Sequence, residues 1–223
     1  ADKPALLTHG QAITFFHEFG HVLHNLLTKA ELGSQSGTSV KRDFAEAPSQ
    51  IFENWVWNYE SLKLFAKHYK TGEVLPAELF QKMLAARNVD SGLAASAQVN
   101  YGILDMTLHD KYDRSGDKTT TDVVKEVYNQ IMPYKHLEGT NFQAAFSHLN
   151  GYGTSYYGYM WSKVYAEDMF PVFEKNGILD QKTGMRYRNS VLANGGSEDE
   201  FEMVKDFLGR DPDPAAFFRS LGL

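Results

Sequence analysis

The chain of 223 residues is long enough to bury a full hydrophobic core, and it contains no cysteine, which excludes disulfides and thiolate metal sites. Its formal net charge of −6 and the lack of a basic cluster argue against nucleic acid as a partner. No apolar run approaches the roughly 20 residues of a membrane span, so we predict no membrane contact. The absence of cysteine is compatible with the cytosol and the periplasm and decides neither. We predict a cytoplasmic location and leave the periplasm open.

The first predicted helix spans about residues 9–29 and has a defined start and a buried face. Thr8 and Gln11 have the spacing of a capping box, which places the helix N-terminus directly before the apolar pattern. The apolar positions at helical spacing are Ile13, Phe16, Gly20, Leu23 and Leu27. The sequence therefore predicts an amphipathic helix whose remaining faces can carry functional side chains.

A metal-ligand pattern lies beside that apolar stripe. His17 and His21 are four residues apart, so on a helix their imidazoles lie one above the other and can bind one ion. Glu18 is about 100° further around the helix, where it can reach water at the ion instead of the ion itself. His24 continues the stripe and is either a half-buried structural histidine, the commoner case, or a further ligand.

Glu46 is the expected third ligand, near the start of a second predicted helix over about residues 44–69. Two imidazoles and one carboxylate leave a fourth position open, which is typical of catalytic zinc, and we predict one Zn²⁺ per chain. A short strand over residues 38–43 is predicted at the rim of the site. Gln50 and Glu53 share a helix face with Glu46, where they either accept a ligand imidazole N–H or simply face solvent.

Helical patterns continue to the C-terminus. Further helices are predicted over about residues 77–88, 93–109, 122–132, 141–149 and 155–175. Ser197 and Glu200 have capping-box spacing, and Gly209 suits a helix C-cap. Because no repeat or convincing linker interrupts the pattern, we predict a single domain over residues 1–223.

Several segments carry a family resemblance. In chain order they are residues 4–8 (PALLT), 16–24 (FHEFGHVLH), 43–55 (DFAEAPSQIFENW), 146–159 (FSHLNGYGTSYYGY), 195–197 (GGS) and 207–212 (FLGRDP). They resemble the thimet oligopeptidase, neurolysin and oligopeptidase A family of zinc metallopeptidases. The resemblance implies a mainly α fold: a zincin-like helical metallopeptidase catalytic domain with at most a small β element near the active site. It also implies the C-terminal catalytic portion of a longer enzyme, because the chain begins 16 residues before His17 whereas the family carries several hundred there. We therefore expect a missing N-terminal region of the same enzyme as a partner.

The resemblance also implies roles for the fourth segment. His148 and Tyr159 are expected to stabilise the transition state, and Tyr152 and Tyr156 to bind substrate. Imidazole and phenol groups are neutral donors that can point at an oxyanion without competing strongly for the metal. The step from His148 to Tyr152 is one residue shorter than in the family pattern. An aromatic helix packed in the core is the structural alternative.

That structural alternative is the one we favour for two neighbouring side chains. We expect Tyr157 and Trp161 to pack in the core, in contrast to the other members of the segment.

The predicted function is that of a zinc-dependent endopeptidase that hydrolyses internal peptide bonds of short oligopeptides, with Glu18 as general base and a metal-activated water as nucleophile. One alternative is a dipeptidyl carboxypeptidase of the same broader family, which differs in where the C-terminal carboxylate of the peptide is held. Another is a metal- or peptide-binding fragment that is inactive without its N-terminal region.

Overall fold

The computed structural model describes residues 4–223, and their secondary structure is helical. The α-helices are α1 (His9–Leu27), α2 (Ala47–Glu53), α3 (Tyr59–Phe65), α4 (Ala77–Ala86), α5 (Ser91–Met106), α6 (Thr120–Ile131), α7 (Phe142–Ala145), α8 (His148–Gly151), α9 (Gly158–Asn176), α10 (Gln181–Tyr187), α11 (Glu200–Leu208) and α12 (Ala215–Ser220). Two 3₁₀ segments, Gly33–Gln35 and Asn54–Trp57, and two π-helical segments, Thr107–Lys111 and Arg188–Leu192, adjoin them. The predicted mainly α fold is confirmed.

The strand predicted over residues 38–43 is wrong. This segment forms turns, in which Ser39 donates its N–H to Ser36 and Phe44 donates to Lys41. The backbone N–H of Lys41 is bound by the carboxylate of Glu200 at 2.8 Å, so this donor is not available to a neighbouring strand. Among the described residues, β pairing is limited to one isolated bridge between Lys67 and Val74.

Two compact units make up the chain. The chain up to Val89 together with Trp161–Leu223 forms the first unit, and Asp90–Met160 forms the second. The single domain predicted over residues 1–223 stays a prediction. No helix within the described residues combines the length and apolar character that crossing a membrane requires.

The core of the first unit fixes the buried face of α1. Its main cluster is built from α2, α9, α10, α11 and the adjoining π segment, and Met169, Val204 and Phe207 are almost fully buried within it. Leu23 and Leu27 of α1 pack against this cluster. The other half of the predicted stripe, Ile13 and Phe16, packs against a smaller cluster around Val56, Leu62 and Phe80. The apolar stripe predicted for α1 therefore faces the core along its whole length.

Gly20 sets the distance between α1 and α2. A β-carbon at this position would lie 2.6 Å from the Cα atom of Ser49 and 2.7 Å from the carbonyl oxygen of Pro48, which is closer than real β-carbons come to other atoms. The two helix backbones are therefore in direct contact. This contact brings the N-terminus of α2, and with it Glu46, to the face of α1 beside Gly20.

The predicted long second helix is divided by local capping. Asn58 has φ −115° and ψ 127°, and its side chain accepts a hydrogen bond from the N–H of Ser61, so it ends one segment and begins α3. Asparagine is among the strongest N-caps, and here that preference outweighs the continuous apolar pattern on either side. The helix predicted over residues 141–149 is likewise two single turns, α7 and α8, because Phe146 between them leaves helical geometry at ψ 83°.

Capping near the C-terminus is partly as predicted. Gly209 ends α11 in the left-handed conformation with φ 73°, which confirms its role as C-cap. The capping box predicted for Ser197 and Glu200 is wrong. Asp199 is the N-cap and accepts the N–H of Phe201, whereas the Glu200 side chain is occupied by Lys41. Helix α10, which begins at the Asp180 cap, was not predicted from the sequence.

The core of the second unit lies between α5 and α6. Leu104 of α5 packs with Val123, Val124 and Val127 of α6, all of them buried. A capping box at Thr119 and Asp122 fixes the start of α6. Residues 147–159, which follow α7, all belong to this unit, which ends at Met160.

Candidate metal centre

His17, His21 and Glu46 converge on one point. The Nε2 atoms of His17 and His21 each lie 3.1 Å from Oε2 of Glu46. Three ligands bound tetrahedrally to zinc at its usual bond lengths lie roughly 3.3 Å apart, so the observed spacing fits a zinc ion after small side-chain adjustments. The donor set of two imidazoles and one carboxylate is also the one that catalytic zinc uses. These three residues could therefore hold the ion.

The local fold explains this convergence. The four-residue spacing of His17 and His21 on α1 brings their rings together edge to face, with the centroids 5.0 Å apart. Glu46 is the residue before α2, and the Gly20 contact described above holds that helix end against α1. The hydroxyl of Ser49 lies 2.8 Å from the carbonyl oxygen of Glu46 and 3.2 Å from its carboxylate. The Glu46 side chain is thus anchored through its own helix turn.

Charge on the ion-free site is distributed between His17 and Glu46. Burial opposes the charged form of His17, but hydrogen bonds to Glu46 and Glu53 outweigh it and raise the pKa of His17 to about 9. Burial also opposes the Glu46 carboxylate, but hydrogen bonds from His17 and His21 outweigh it and lower the pKa of Glu46 to about 2. A proton on His17 therefore occupies the position that a cation would take, and cation binding has to displace it.

A carboxylate outside the ligand set contacts His17. Nδ1 of His17 lies 2.8 Å from Oε1 of Glu53, so of the two candidates for this contact, Glu53 is the one that makes it. Gln50 is buried and donates its backbone N–H to the Glu46 carbonyl as part of α2. A carboxylate at Nδ1 leaves Nε2 of His17 free to bind a metal.

Lys163 and Glu167 lie behind this contact and were not predicted from the sequence. Nζ of Lys163 lies 3.2 Å from Oε2 of Glu53, and 3.3 Å from Oε1 of Glu167. The only sequence signal is the four-residue spacing of Lys163 and Glu167 on α9. That spacing predicts an ordinary helix ion pair and contains no information about Glu53.

His24 lies outside the ligand cluster. Its side chain is fully buried, and neither ring nitrogen has a hydrogen-bond partner among the described residues. Burial, with a smaller contribution from the charge of His21, lowers the pKa of His24 to about 4. The imidazole is therefore neutral at pH 7 and behaves as a core side chain.

Glu18 is exposed on α1, directly after the first histidine. Its carboxylate makes no hydrogen bond or ion pair with the described residues, so it is available to water and substrate. Nothing in the fold constrains it beyond its position on the helix.

His148, Tyr152, Tyr156 and Tyr159 form an aromatic cluster in the second unit. Nε2 of His148 lies 3.3 Å from the hydroxyl of Tyr159, and the ring centroids of Tyr152 and Tyr156 lie 5.4 and 5.1 Å from that of Tyr159. Tyr156 is buried, its hydroxyl bonds Gln98 at 3.1 Å, and burial raises the pKa of Tyr156 to about 12. His148, Tyr152 and Tyr159 are half-buried. Their catalytic and substrate-binding roles stay predictions.

The core placement expected for Tyr157 and Trp161 is wrong, since their exposed fractions are 43% and 55%. Near the start of α9, Tyr156 is buried and Tyr159 half-buried instead. Helical and turn geometry turns the neighbouring side chains outward, so an aromatic run alone does not identify the inner face.

Asp105 of α5 holds the segment that carries these tyrosines. Its buried carboxylate accepts the N–H groups of Thr154 and Tyr156, each at 3.0 Å, and pairs with the ring of His109 at 2.9 Å. Nε2 of His109 in turn lies 3.2 Å from the carbonyl oxygen of Leu149. Asp105 was not predicted as a site residue, and its only sequence signal is an aspartate within an apolar helix pattern.

Comparisons with known proteins find similar sequences over almost the whole chain. The sequence model of peptidase family M3 matches residues 1–223. Oligopeptidase A of Salmonella typhimurium is 40% identical over 224 residues, which cover 99% of this chain and 33% of that protein. The thimet-like oligopeptidase of Dictyostelium discoideum is 39% identical, with 99% of this chain and 33% of that protein covered. Saccharolysin of Saccharomyces cerevisiae is 37% identical over 230 residues, with 100% and 32% covered. The chain thus spans about a third of the length of the curated relatives it matches.

Proposed function

Because the chain belongs to peptidase family M3, we propose that it provides the metal centre of a zinc-dependent endopeptidase that cleaves internal bonds of short oligopeptides. The observation that carries this proposal is the convergence of His17, His21 and Glu46, with both imidazole Nε2 atoms 3.1 Å from one carboxylate oxygen. One zinc ion per chain is the cofactor that these donors suit best.

Zinc held by these three residues would supply Lewis-acid chemistry that activates water and polarises the scissile carbonyl. Glu18 takes the proton of the attacking water and passes it to the departing amine, which is general acid–base catalysis by one carboxylate. Its exposure and lack of other partners support this role. Glu46 and the histidines are already engaged with one another.

Oxyanion stabilisation is proposed for the aromatic cluster of the second unit. His148 and Tyr159 are neutral donors, and their side chains already lie 3.3 Å apart, so one substrate oxygen can be bound by both. Tyr152, half-buried beside Tyr159, is proposed to bind the peptide. Tyr156 is proposed to contribute to the substrate site through its ring, since its hydroxyl is bound to Gln98.

Metal analysis and Glu18→Gln test the proposal together. The purified chain should bind one zinc equivalent, and His17→Ala should abolish this binding. Glu18→Gln should retain the metal and lose most turnover, because only the base is removed. Wild-type turnover by Glu18→Gln would refute the base assignment, and a metal content that His17→Ala leaves unchanged would refute the site.

One assay separates the alternatives. The zinc-loaded chain is incubated with a quenched fluorescent peptide library, and cleavage positions are read by mass spectrometry. We expect cuts at internal peptide bonds. Successive C-terminal dipeptides would identify a dipeptidyl carboxypeptidase. Metal binding without cleavage would identify a metal- or peptide-binding fragment.

Short peptides and the N-terminal region expected from the resemblance are the partners we propose. An apolar surface on α1 supports the second partner: Phe15, Phe19, Val22 and Leu26 are 60%, 46%, 44% and 72% exposed. Replacing Phe15 and Leu26 with Ser should leave the fold intact and weaken association with the remaining part of an M3 peptidase supplied separately. Undiminished association would exclude this surface. The predicted cytoplasmic location stays a prediction.

A further inference from the structure

We propose that Lys163 is a positioning residue for the metal centre, because it holds the Glu53 carboxylate in the orientation that accepts the Nδ1 hydrogen of His17. This inference rests on the zinc site proposed above. It assigns a role to a residue of α9 that contacts none of the three ligands through a hydrogen bond. The contacts are continuous from His17 through Glu53 and Lys163 to Glu167.

Each oxygen of Glu53 has its own partner. Oε1 lies 2.8 Å from Nδ1 of His17, and Oε2 lies 3.2 Å from Nζ of Lys163. A carboxylate with a single partner can rotate and present either oxygen, whereas one bound at both oxygens cannot. Lys163 therefore fixes which oxygen of Glu53 faces the histidine.

Lys163 is itself held in place. Its ammonium lies 3.3 Å from Oε1 of Glu167, one turn further along α9. The residues of α9 next to this pair, Ala166 and Met169, are fully buried in the main core cluster. The side chains of Glu53 and Glu167 are only 21% and 7% exposed, so salt screens these contacts less than it screens surface pairs. The packing of α9 in the core thus holds the Lys163 ammonium beside Glu53.

The contact between Glu53 and His17 selects the tautomer of the His17 imidazole. To bind a metal through Nε2, a neutral imidazole must carry its hydrogen on Nδ1, and a carboxylate at Nδ1 selects that form. Without Lys163, Glu53 would have an unpartnered oxygen close to a bound cation and could turn towards it. The three carboxylates of Glu46, Glu53 and Glu167 with one ammonium also leave two net negative charges, which a divalent cation neutralises.

Zinc affinity measured by competition with a chelator tests the proposal without relying on activity. Lys163→Met should weaken zinc binding by about tenfold, the lower end of what loss of a partner behind a metal ligand costs. Lys163→Arg should restore most of the affinity, because it retains a cation at the carboxylate. In a Glu53→Gln background Lys163→Met should cause no further loss, since Lys163 acts through Glu53.

Lys82→Met is the matched control. Lys82 forms an exposed pair with Glu78 at 2.9 Å on α4, so this variant removes the same charge from a site without a role in metal binding. It should leave zinc affinity unchanged. Circular dichroism melts of every variant establish that the fold persists, and Lys163→Gln replaces Lys163→Met if the latter does not fold.

Unchanged or tighter zinc binding by folded Lys163→Met would overturn the inference, because Lys163 would then act at most as a charge that repels the cation. Equal losses in the wild-type and Glu53→Gln backgrounds would also overturn it. Failure of the proposed function looks different: the wild-type chain would bind no zinc, or His17→Ala would bind it as tightly as the wild type. Nitrogen NMR of His17 in the zinc-loaded chain adds a direct readout, since Lys163→Met should broaden or shift the Nδ1–H signal.

Discussion

A β-carbon on Gly20 would lie 2.6 Å from the Cα atom of Ser49, so glycine is what allows α1 and α2 to touch. The histidines lie three residues before and one residue after this contact, and Glu46 lies three residues before Ser49. The geometry of the ligand cluster therefore depends on a residue that contributes no side chain to it.

Gly20→Ala is predicted to destabilise the chain and to weaken zinc binding. The added methyl group would meet backbone atoms, which cannot rotate away, so the helices must separate at a cost of about 1–3 kcal/mol. Separation also moves Glu46 away from both imidazoles. Urea unfolding and chelator competition measure the two effects.

Gly10→Ala is the matched control on the same helix. A β-carbon at Gly10 meets nothing within 4 Å, and alanine is the better helix former. This variant should be as stable as the wild type or slightly more stable, with the same zinc affinity. If Gly20→Ala behaved in the same way, the close approach of the two helices would not be what positions Glu46.

Local sequence rules predicted α1 and the proximity of His17 and His21 well. The capping box at Thr8, the apolar stripe and the histidine spacing all act within one helix, where distance along the chain fixes distance in space. Glu46 is at the start of α2, and its meeting with α1 is a tertiary contact. The sequence indicated it through the resemblance and not through spacing.

The same rules could not predict contacts between distant elements. Lys163 and Glu53 are 110 positions apart, so no periodicity connects them. Gly20 was assigned to a buried stripe, but a stripe does not reveal that a second backbone approaches there. Asn58 shows the opposite failure, because a local cap outweighs a long apolar pattern whose continuity predicts one helix.

Zinc affinity is predicted to rise with pH up to about pH 9. The pKa of His17 in the ion-free chain is raised to about 9, so at pH 7 zinc must displace its proton. Release of one proton from His17 alone makes binding about tenfold tighter for each pH unit. Isothermal titration in buffers of different ionisation enthalpy measures the protons released.

Glu53→Gln is the control for this pH dependence. The hydrogen bond to Glu53 and its charge both raise the pKa of His17, so their loss should move the pH dependence to lower pH. Zinc affinity that stays constant between pH 6.5 and pH 9 would contradict a protonated His17 in the ion-free chain.

His24→Leu is predicted to stabilise the chain without altering zinc affinity. Both ring nitrogens are buried without partners, and an apolar side chain removes that penalty of about 1–3 kcal/mol. Because burial lowers the pKa of His24 from 6.5 to about 4, the unfolded chain binds the extra proton between these values. The contribution of His24 to stability is therefore complete above pH 6.5 and is lost as pH falls through about 4.

Urea unfolding at pH 7 and pH 5 should show a larger advantage of His24→Leu at pH 5. His68→Leu is the comparison. His68 is exposed, so its replacement removes a histidine without changing the core. A loss of zinc affinity in His24→Leu would mean that His24 takes part in metal binding after all.

Asp105→Asn is predicted to loosen the segment that carries Tyr152 and Tyr156. The carboxylate accepts two backbone N–H groups, whereas an amide offers one oxygen and one donor, so one of these hydrogen bonds must be lost. Loss of a buried hydrogen bond to a charged group costs about 1.5–3 kcal/mol. Hydrogen exchange should therefore speed up at the amides of Thr154 and Tyr156 before it does so elsewhere in the second unit.

Asp113→Asn, at an exposed turn around Ser115, is the control and should leave those amides protected. Equal protection of both amides in Asp105→Asn would show that the aromatic cluster, and not the buried carboxylate, orders this segment.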